Sequence, residues 1–169
     1  LISVQEVRTK VEKAYAAWQT YRSFTQERID SIVEAGAAAA REHAVRLAEL
    51  AVQETGYGNA RDKTAKNLLS ADVLARTMRG MQVVGVLRED ADKKVVEIGV
   101  PMGVVAAILP TTNPTSTAIY KVLITLKAGN AVVVSPHPRA KQCTCETVAV
   151  VHRAAVQAGL PEDAIQCIN

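Results

Sequence analysis

Thr111, Thr112 and Asn113 stand between an apolar run, Gly103 to Leu109 closed by Pro110, and a second proline, Pro114. After another apolar run, Ala131 to Val134, come Ser135, Pro136, His137 and Pro138. Hydroxyl and amide groups in such clusters offer directed hydrogen bonds without a fixed charge, which suits them to holding a polar ligand. His137 adds an imidazole, although a lone histidine between two rigidifying prolines is not diagnostic and also reads as a solvated loop residue. Cys143, Cys145 and Cys167 are the only thiols. They lack the paired spacing of a zinc site, and no metal is expected. Cys143 and Cys145 fall two apart in a predicted helix and so point to different sides.

The elements around these groups follow from periodicity. Gly103 to Leu109 is short, apolar and rich in β-branched residues, as expected of a strand buried on both faces of a parallel sheet. Pro114 suits the first turn of a helix, with Asn113 as its N-cap. Ile119, Val122, Leu123 and Leu126 recur at helical spacing, and Gly129 falls where a left-handed C-terminal residue belongs. A βαβ unit makes the two strands parallel with a right-handed crossover, so both polar loops lie on one sheet edge, where open α/β sheets bind ligands. A helix from Lys141 to Ala158 and a third strand over Ala164 to Ile168 follow.

The first half reads as helical. Ser3 with Glu6, and Ser23 with Gln26, form capping-box patterns ahead of two helices. Val4, Val7, Val11, Trp18 and Tyr21 mark the inward face of the first. The second runs through Ile29, Ile32, Val33, Ala37, Ala40, Ala44, Leu47 and Leu50 to Gly56, its small residues allowing close approach. A third helix spans Asp62 to Arg79, with Leu68, Leu69, Val73 and Leu74 inward; it packs and shows no chemistry. Val83 to Leu87 and Val95 to Val100, around the charged turn Arg88 to Lys94, predict an antiparallel hairpin outside the parallel sheet. A two-stranded ribbon needs a partner, which makes it a candidate oligomerisation arm.

Composition bounds the function. The 169 residues suit one ordinary domain, and 49% hydrophobic with 22% charged residues is a globular balance. A formal charge of +3, with Arg41, Glu42, Arg46 and Glu49 interspersed, argues for solvated helix faces and against a nucleic-acid partner. No apolar run approaches the ~18 residues of a membrane span. Three cysteines cannot form a complete disulfide framework, so a reducing cytoplasm is the expected setting. The chain starts at Leu1 and stops on its third parallel strand, so it reads as the trimmed front part of a larger protein.

GVPMGVVAAILPTTNPTS, the helix with Lys121, then LKAGNAVVVSPHP and AGLPEDAIQCI resemble the cofactor-binding half of coenzyme A-acylating aldehyde dehydrogenases. ETGYGNARDKTAKN, Glu54 to Asn67, resembles the N-terminal helical region of the same family, so the resemblance covers nearly the whole chain. It implies an α/β fold: an incomplete Rossmann-like parallel sheet preceded by N-terminal helices and a β-hairpin. The expected organisation is 1–80 helices packing on the cofactor domain, 81–100 the hairpin arm, and 101–169 the first part of the dinucleotide-binding domain.

The resemblance also implies a reaction. A cysteine thiolate attacks an aldehyde, hydride passes to NAD or NADP, and the acyl group is transferred to coenzyme A. That nucleophile lies downstream of the region matched, so the 169 residues alone are expected to be inactive. By resemblance Leu109, Pro110, Thr111, Thr112 and Asn113 contact the cofactor, and Ser135, Pro136 and His137 lie beside its adenosine end. Related enzymes place an Asn in the first loop as oxyanion donor. Ungapped counting between Pro110 and Lys121 puts Thr112 there, leaving Asn113 open between that role and helix capping. With no acid in the second loop, a 2′-phosphate is not excluded. A small aldehyde, coenzyme A and a second copy of the chain are the expected partners, in the cytoplasm or a bacterial microcompartment. The rival classes are a noncatalytic nucleotide-binding or interaction module and a non-acylating member of the superfamily, such as a glutamyl-phosphate reductase relative.

Overall fold

The computed structural model describes residues 2–168; Leu1 and Asn169 lie outside the described residues. The helical first half comprises α1 (Ile2–Tyr21), α2 (Gln26–Glu42), α3 (Ala44–Thr55), α4 (Ala60–Leu68), a π-helical turn (Leu69–Leu74) and α5 (Ala75–Met78). A hairpin of β1 (Gly85–Asp90) and β2 (Val95–Gly99) follows. The α/β part is β3 (Val104–Ile108), α6 (Pro114–Lys127), β4 (Ala131–Ser135), α7 (Lys141–Gln157) and β5 (Ile165–Cys167).

The three strands form one parallel sheet in the order β3-β4-β5. β4, fully apolar through Val134, is buried along Ala131–Val134. It is covered by α1, which also contacts β3 and β5, and by the crossover helix α6, while α7 packs on β5 and α2 packs over both α6 and α7. Among the described residues β3 is hydrogen-bonded on one side, to β4, and of its residues only Ala107 is buried, with Ile108 74% exposed, short of the expected burial on both faces.

α6 begins on Pro114 and buries Ile119, Val122, Leu123 and Leu126 completely. Two α1 side chains satisfy carbonyls at its far end: Tyr21 Oη donates to Leu126 O at 2.8 Å and Trp18 Nε1 to Gly129 O at 3.2 Å. Burial, and then the Asp30 carboxylate, push the Tyr21 phenol well above its usual range. Asn130 holds the strand entry, its Oδ1 accepting from Met102 N and Gly103 N at 2.6 and 2.9 Å. The close approach expected of small residues occurs at Gly36, where an added Cβ would lie 3.0 Å from Val151 Cγ1 of α7.

Several local expectations fail for identifiable reasons. Ser3 lies inside α1 and caps nothing, and Val4 and Val11 are exposed; Ala14, Trp18 and Tyr21 form the buried stripe. Thr25, rather than Ser23, caps α2, its hydroxyl accepting from Arg28 N, while Ser23 Oγ donates back to Thr20 O. Gln26 then ties α2 to the approach to the hairpin, accepting from Val83 N and Val84 N. The single long helix expected to run to Gly56 is broken at His43, whose ψ of 8° takes it out of helical geometry.

The third helix is interrupted by its π turn. Its buried face runs Lys63, Asn67, Ala71, Ala75 and Met78, while Leu68, Leu69 and Val73 are exposed, against expectation. In a straight α-helix, residues four apart drift by about 40° per step, and the wider π turn absorbs that drift. The displaced Leu69 and Val73 line a groove of about 380 Å³ with Thr117 and Tyr120 of α6.

The hairpin is antiparallel and separate from the parallel sheet, as expected, with pairing carried through to Asp90. The cysteines correct another expectation, since Cys145 and Cys167 are joined by a disulfide. The pair is invisible to spacing rules because it bridges α7 and β5, whose Cα atoms at these positions are 5.8 Å apart, within disulfide range.

Candidate functional site

The carboxyl ends of β3 and β4 deliver both polar loops to one edge. Leu109 is buried and its N–H donates to Ser135 O at 3.0 Å, extending the ladder by one bond and joining the loops at their roots. Pro110 is exposed, Thr111 half-buried, Thr112 exposed and Asn113 half-buried. Lys121 Nζ, from α6, donates to Ile108 O at 2.7 Å and so holds the last carbonyl of β3.

Asn113 occupies the N-cap position of α6, and Thr117 N donates to its carbonyl oxygen at 3.2 Å. Its side chain makes no capping bond. Asn113 Oδ1 instead accepts from Lys66 Nζ at 2.9 Å. Three residues earlier on the same helix, Lys63 Nζ donates to Thr112 O at 2.7 Å. Asn67 completes the contact: Thr115 Oγ1 donates to Asn67 Oδ1 at 2.8 Å, and Asn67 Nδ2 donates to Ala44 O at 2.9 Å. One face of α4 thus holds positions 112, 113 and 115 of the loop and first helical turn.

Lys63 is only 5% exposed, and neither it nor Lys66 has a carboxylate within ion-pair distance among the described residues. Burial, then the Lys66 charge, hold the Lys63 ammonium below the usual lysine range. Sequence periodicity treated this helix as packing alone. The available signal was two lysines and an asparagine on one face of a helix whose core face also passes through 63 and 67.

In the second loop His137 Nδ1 accepts from Arg139 N at 3.1 Å, starting the short turn Pro138–Ala140. That bond leaves Nε2 as the free ring nitrogen, and the half-buried ring is fixed rather than loosely solvated. α7 then starts behind Ala140, which has no capping group. Glu54, at the end of α3, supplies one: Oε1 accepts from Gln142 N at 2.8 Å and Oε2 from Cys143 N at 2.7 Å. Burial works against the Glu54 charge, but the hydrogen bonds from Cys143 and the neighbouring backbone outweigh it and hold the carboxyl below 4.5. Burial, followed by the facing Glu54 carboxylate, pushes the Cys143 thiol up to about 12. A thiol so placed is not a nucleophile near neutral pH. Cys145 and Cys167 are paired with each other, and among the described residues no group of three His, Cys, Asp or Glu side chains could hold a metal.

A parallel sheet with two polar loops at its carboxyl edge, the first followed by a helix N-terminus, defines an α/β protein. The profile of the aldehyde dehydrogenase family matches residues 1–169, and the chain belongs to that family. It is similar to an acetylating aldehyde dehydrogenase from Geobacillus thermoglucosidasius, with TM-score 0.98 and 50% identity over 99% of this chain and 37% of that one. It is 42% identical over 167 residues to the bifunctional aldehyde-alcohol dehydrogenase AdhE of Escherichia coli (strain K12), covering 99% of this chain and 19% of the relative. It therefore spans between about a fifth and two fifths of the length of these relatives. Two further similar structures carry ligands. A Rhodopseudomonas palustris propionaldehyde dehydrogenase has bound CoA and an acylated cysteine (27% identity over 95% of this chain and 36% of that one, TM-score 0.77). An engineered glycolyl-CoA reductase has bound NADP+ (28% identity over 95% of this chain and 36% of that one, TM-score 0.76).

Proposed function

We propose that these residues form the cofactor side of a coenzyme A-acylating aldehyde dehydrogenase, oxidising a small aldehyde to its acyl-CoA with NAD or NADP. The single observation that carries this reading is the Asn113 amide, held on a loop at the sheet's carboxyl edge in a member of this family. When bound, the nicotinamide cofactor accepts the hydride.

The residues present fit an anionic dinucleotide. The two loops carry hydroxyl, amide and imidazole groups and no carboxylate, so nothing in them repels a phosphate. Leu109 to Asn113 form one wall and Ser135, Pro136 and His137 the other, with His137 Nε2 as a donor toward ribose or phosphate. Asn113, rather than Thr112, is the oxyanion donor in this reading. The Thr112 side chain is on the exposed part of the loop and its carbonyl is taken by Lys63, whereas Asn113 keeps an amide nitrogen for a developing negative charge.

None of the three cysteines serves as nucleophile, so the attacking thiolate comes from a segment outside these residues. The hairpin is the oligomerisation arm, supported by the exposed apolar side chains of Val86, Val95, Val96 and Ile98. Residues 1–80, 81–100 and 101–169 act as helical buttress, arm and first part of the dinucleotide domain. The setting is the cytoplasm or a microcompartment within it; among the described residues no helix is long and apolar enough to cross a membrane.

The test is CoA-dependent NAD(P)H formation by the full-length protein with a panel of aldehydes, with the thioester product identified by mass spectrometry. Acyl-CoA with at least one aldehyde is expected, and no turnover by the 169 residues alone. Formation of free acid independent of CoA, or no turnover with any aldehyde, would refute the proposal.

A further inference from the structure

The α4 face does more than pack. We infer that Lys66 is a positioning residue that fixes the Asn113 amide with its nitrogen turned toward the crevice, while Lys63 anchors the preceding carbonyl from below. The inference deepens, and rests on, the reading of Asn113 as oxyanion donor.

An asparagine amide has two faces that differ only in where oxygen and nitrogen lie, and rotating it converts a donor into an acceptor. An ammonium group can only donate. The atom 2.9 Å from Lys66 Nζ is therefore the oxygen, and the NH2 group is the arm of the amide that Lys66 does not engage. Flipping the amide would set two donors against each other. Nδ2 itself has no hydrogen-bond partner among the described residues, so its protons are available.

The backbone beneath is held with equal care. Thr112 O is fixed by a buried lysine, and Thr115 Oγ1 by Asn67, which is wholly buried and is itself tied to Ala44 O. These three bonds come from positions 63, 66 and 67, one face of a single helix, and each crosses more than forty residues of sequence. α4 thus adds long-range restraints on the loop to those of its own backbone bonds. The two lysines also leave positive charge, unpaired with any carboxylate, on the side of Asn113 away from its nitrogen. Polarising the amide from its oxygen end makes the N–H a better donor where negative charge develops.

The test uses the full-length enzyme and five forms: wild type, K66M, K66R, N113A and the K66M/N113A double variant. Asn113→Ala is expected to lower kcat for acylation by about 100-fold, the usual scale for losing one oxyanion donor. Lys66 is exposed, so Lys66→Met should fold. It is expected to lower kcat between about 3- and 10-fold, because a held rotamer becomes one of several and only the competent fraction reacts. Lys66→Arg, which still donates, is expected to restore most of that loss. Cofactor affinity of the Lys66→Met and Lys66→Arg enzymes, measured by fluorescence titration, should stay within about twofold of wild type, and Lys66→Met should have no further effect once Asn113 is Ala.

A K66M penalty that persists in the N113A background, or Met and Arg variants that lose equally, would overturn the positioning role. So would N113A being slow while K66M is normal. If N113A itself turns over at the wild-type rate, the oxyanion reading fails and takes this inference with it, an outcome distinct from the others.

Discussion

Replacing Glu54 with Ala removes the cap of a helix that begins 87 residues later. Gln142 N and Cys143 N, in the first turn of α7, would lose acceptors at 2.8 and 2.7 Å, and Ala140 at the N-cap position has nothing to offer in their place. Loss of an N-cap side chain costs about 1 kcal/mol, and a carboxylate at a helix N-terminus adds roughly 0.3–1 kcal/mol of dipole interaction. Bonds to a charged acceptor sit at the upper end of such values. Glu54 is half-exposed, which tempers them, and we expect Glu54→Ala to destabilise by about 2 kcal/mol near pH 7, or about 4–8 °C in Tm for a protein of this size.

The pH dependence follows from the direction of the shift. The folded-state carboxyl is held below 4.5, so the stabilisation is fully present above the unfolded-state value and disappears as pH falls through the folded one. Urea denaturation of wild type and Glu54→Ala should therefore show curves separated near pH 7 that converge below about pH 4. A separation under about 0.5 kcal/mol near neutrality, or one undiminished in acid, would refute the capping argument.

Two further expectations concern the core. Thiol titration of the native protein near pH 8 should find Cys143 unreactive, since burial pushes it up to about 12; in denaturant one thiol should appear without reductant and three with it. Reduction should also lower stability by about 3 kcal/mol for a bridge of sequence separation 22, and a native protein that titrates three thiols without reductant would contradict the pairing. Gly129→Ala should cost about 2–4 kcal/mol in equilibrium unfolding, because its φ is +72° and the new Cβ would lie 2.7 Å from Pro101 Cγ. Gly56→Ala, at φ +70° with open space around it, should cost about 1–2 kcal/mol; equal losses at the two sites would dismiss the steric contribution.

What the sequence made legible was local. Pro114 opening α6, the Ile119–Leu126 stripe, the left-handed Gly129 and the antiparallel hairpin each announce themselves within a few residues, because turn chemistry and helical period act over that range. The polar loops were found for the same reason, as interruptions between apolar strands. What escaped is held by partners distant in sequence. Asn113 has the residue type and position of a cap, yet its side chain is claimed by Lys66; Glu54 caps a helix that starts far downstream; Cys145 of α7 finds Cys167 of β5. The break at His43 has no proline or glycine to signal it.

The π turn over Leu69–Leu74 makes the length of that segment a gauge. Above it, Lys63, Lys66 and Asn67 address the loop; below it, Ala71, Ala75 and Met78 address the core. Inserting one residue there as ordinary α-helix would rotate one half against the other by about 100°. The lysines would leave Thr112 and Asn113 although every contacting residue was still encoded. In such a stretch side chains at Leu69 or Val73 can change size or polarity at little structural expense, while an inserted residue turns one face away from its partner.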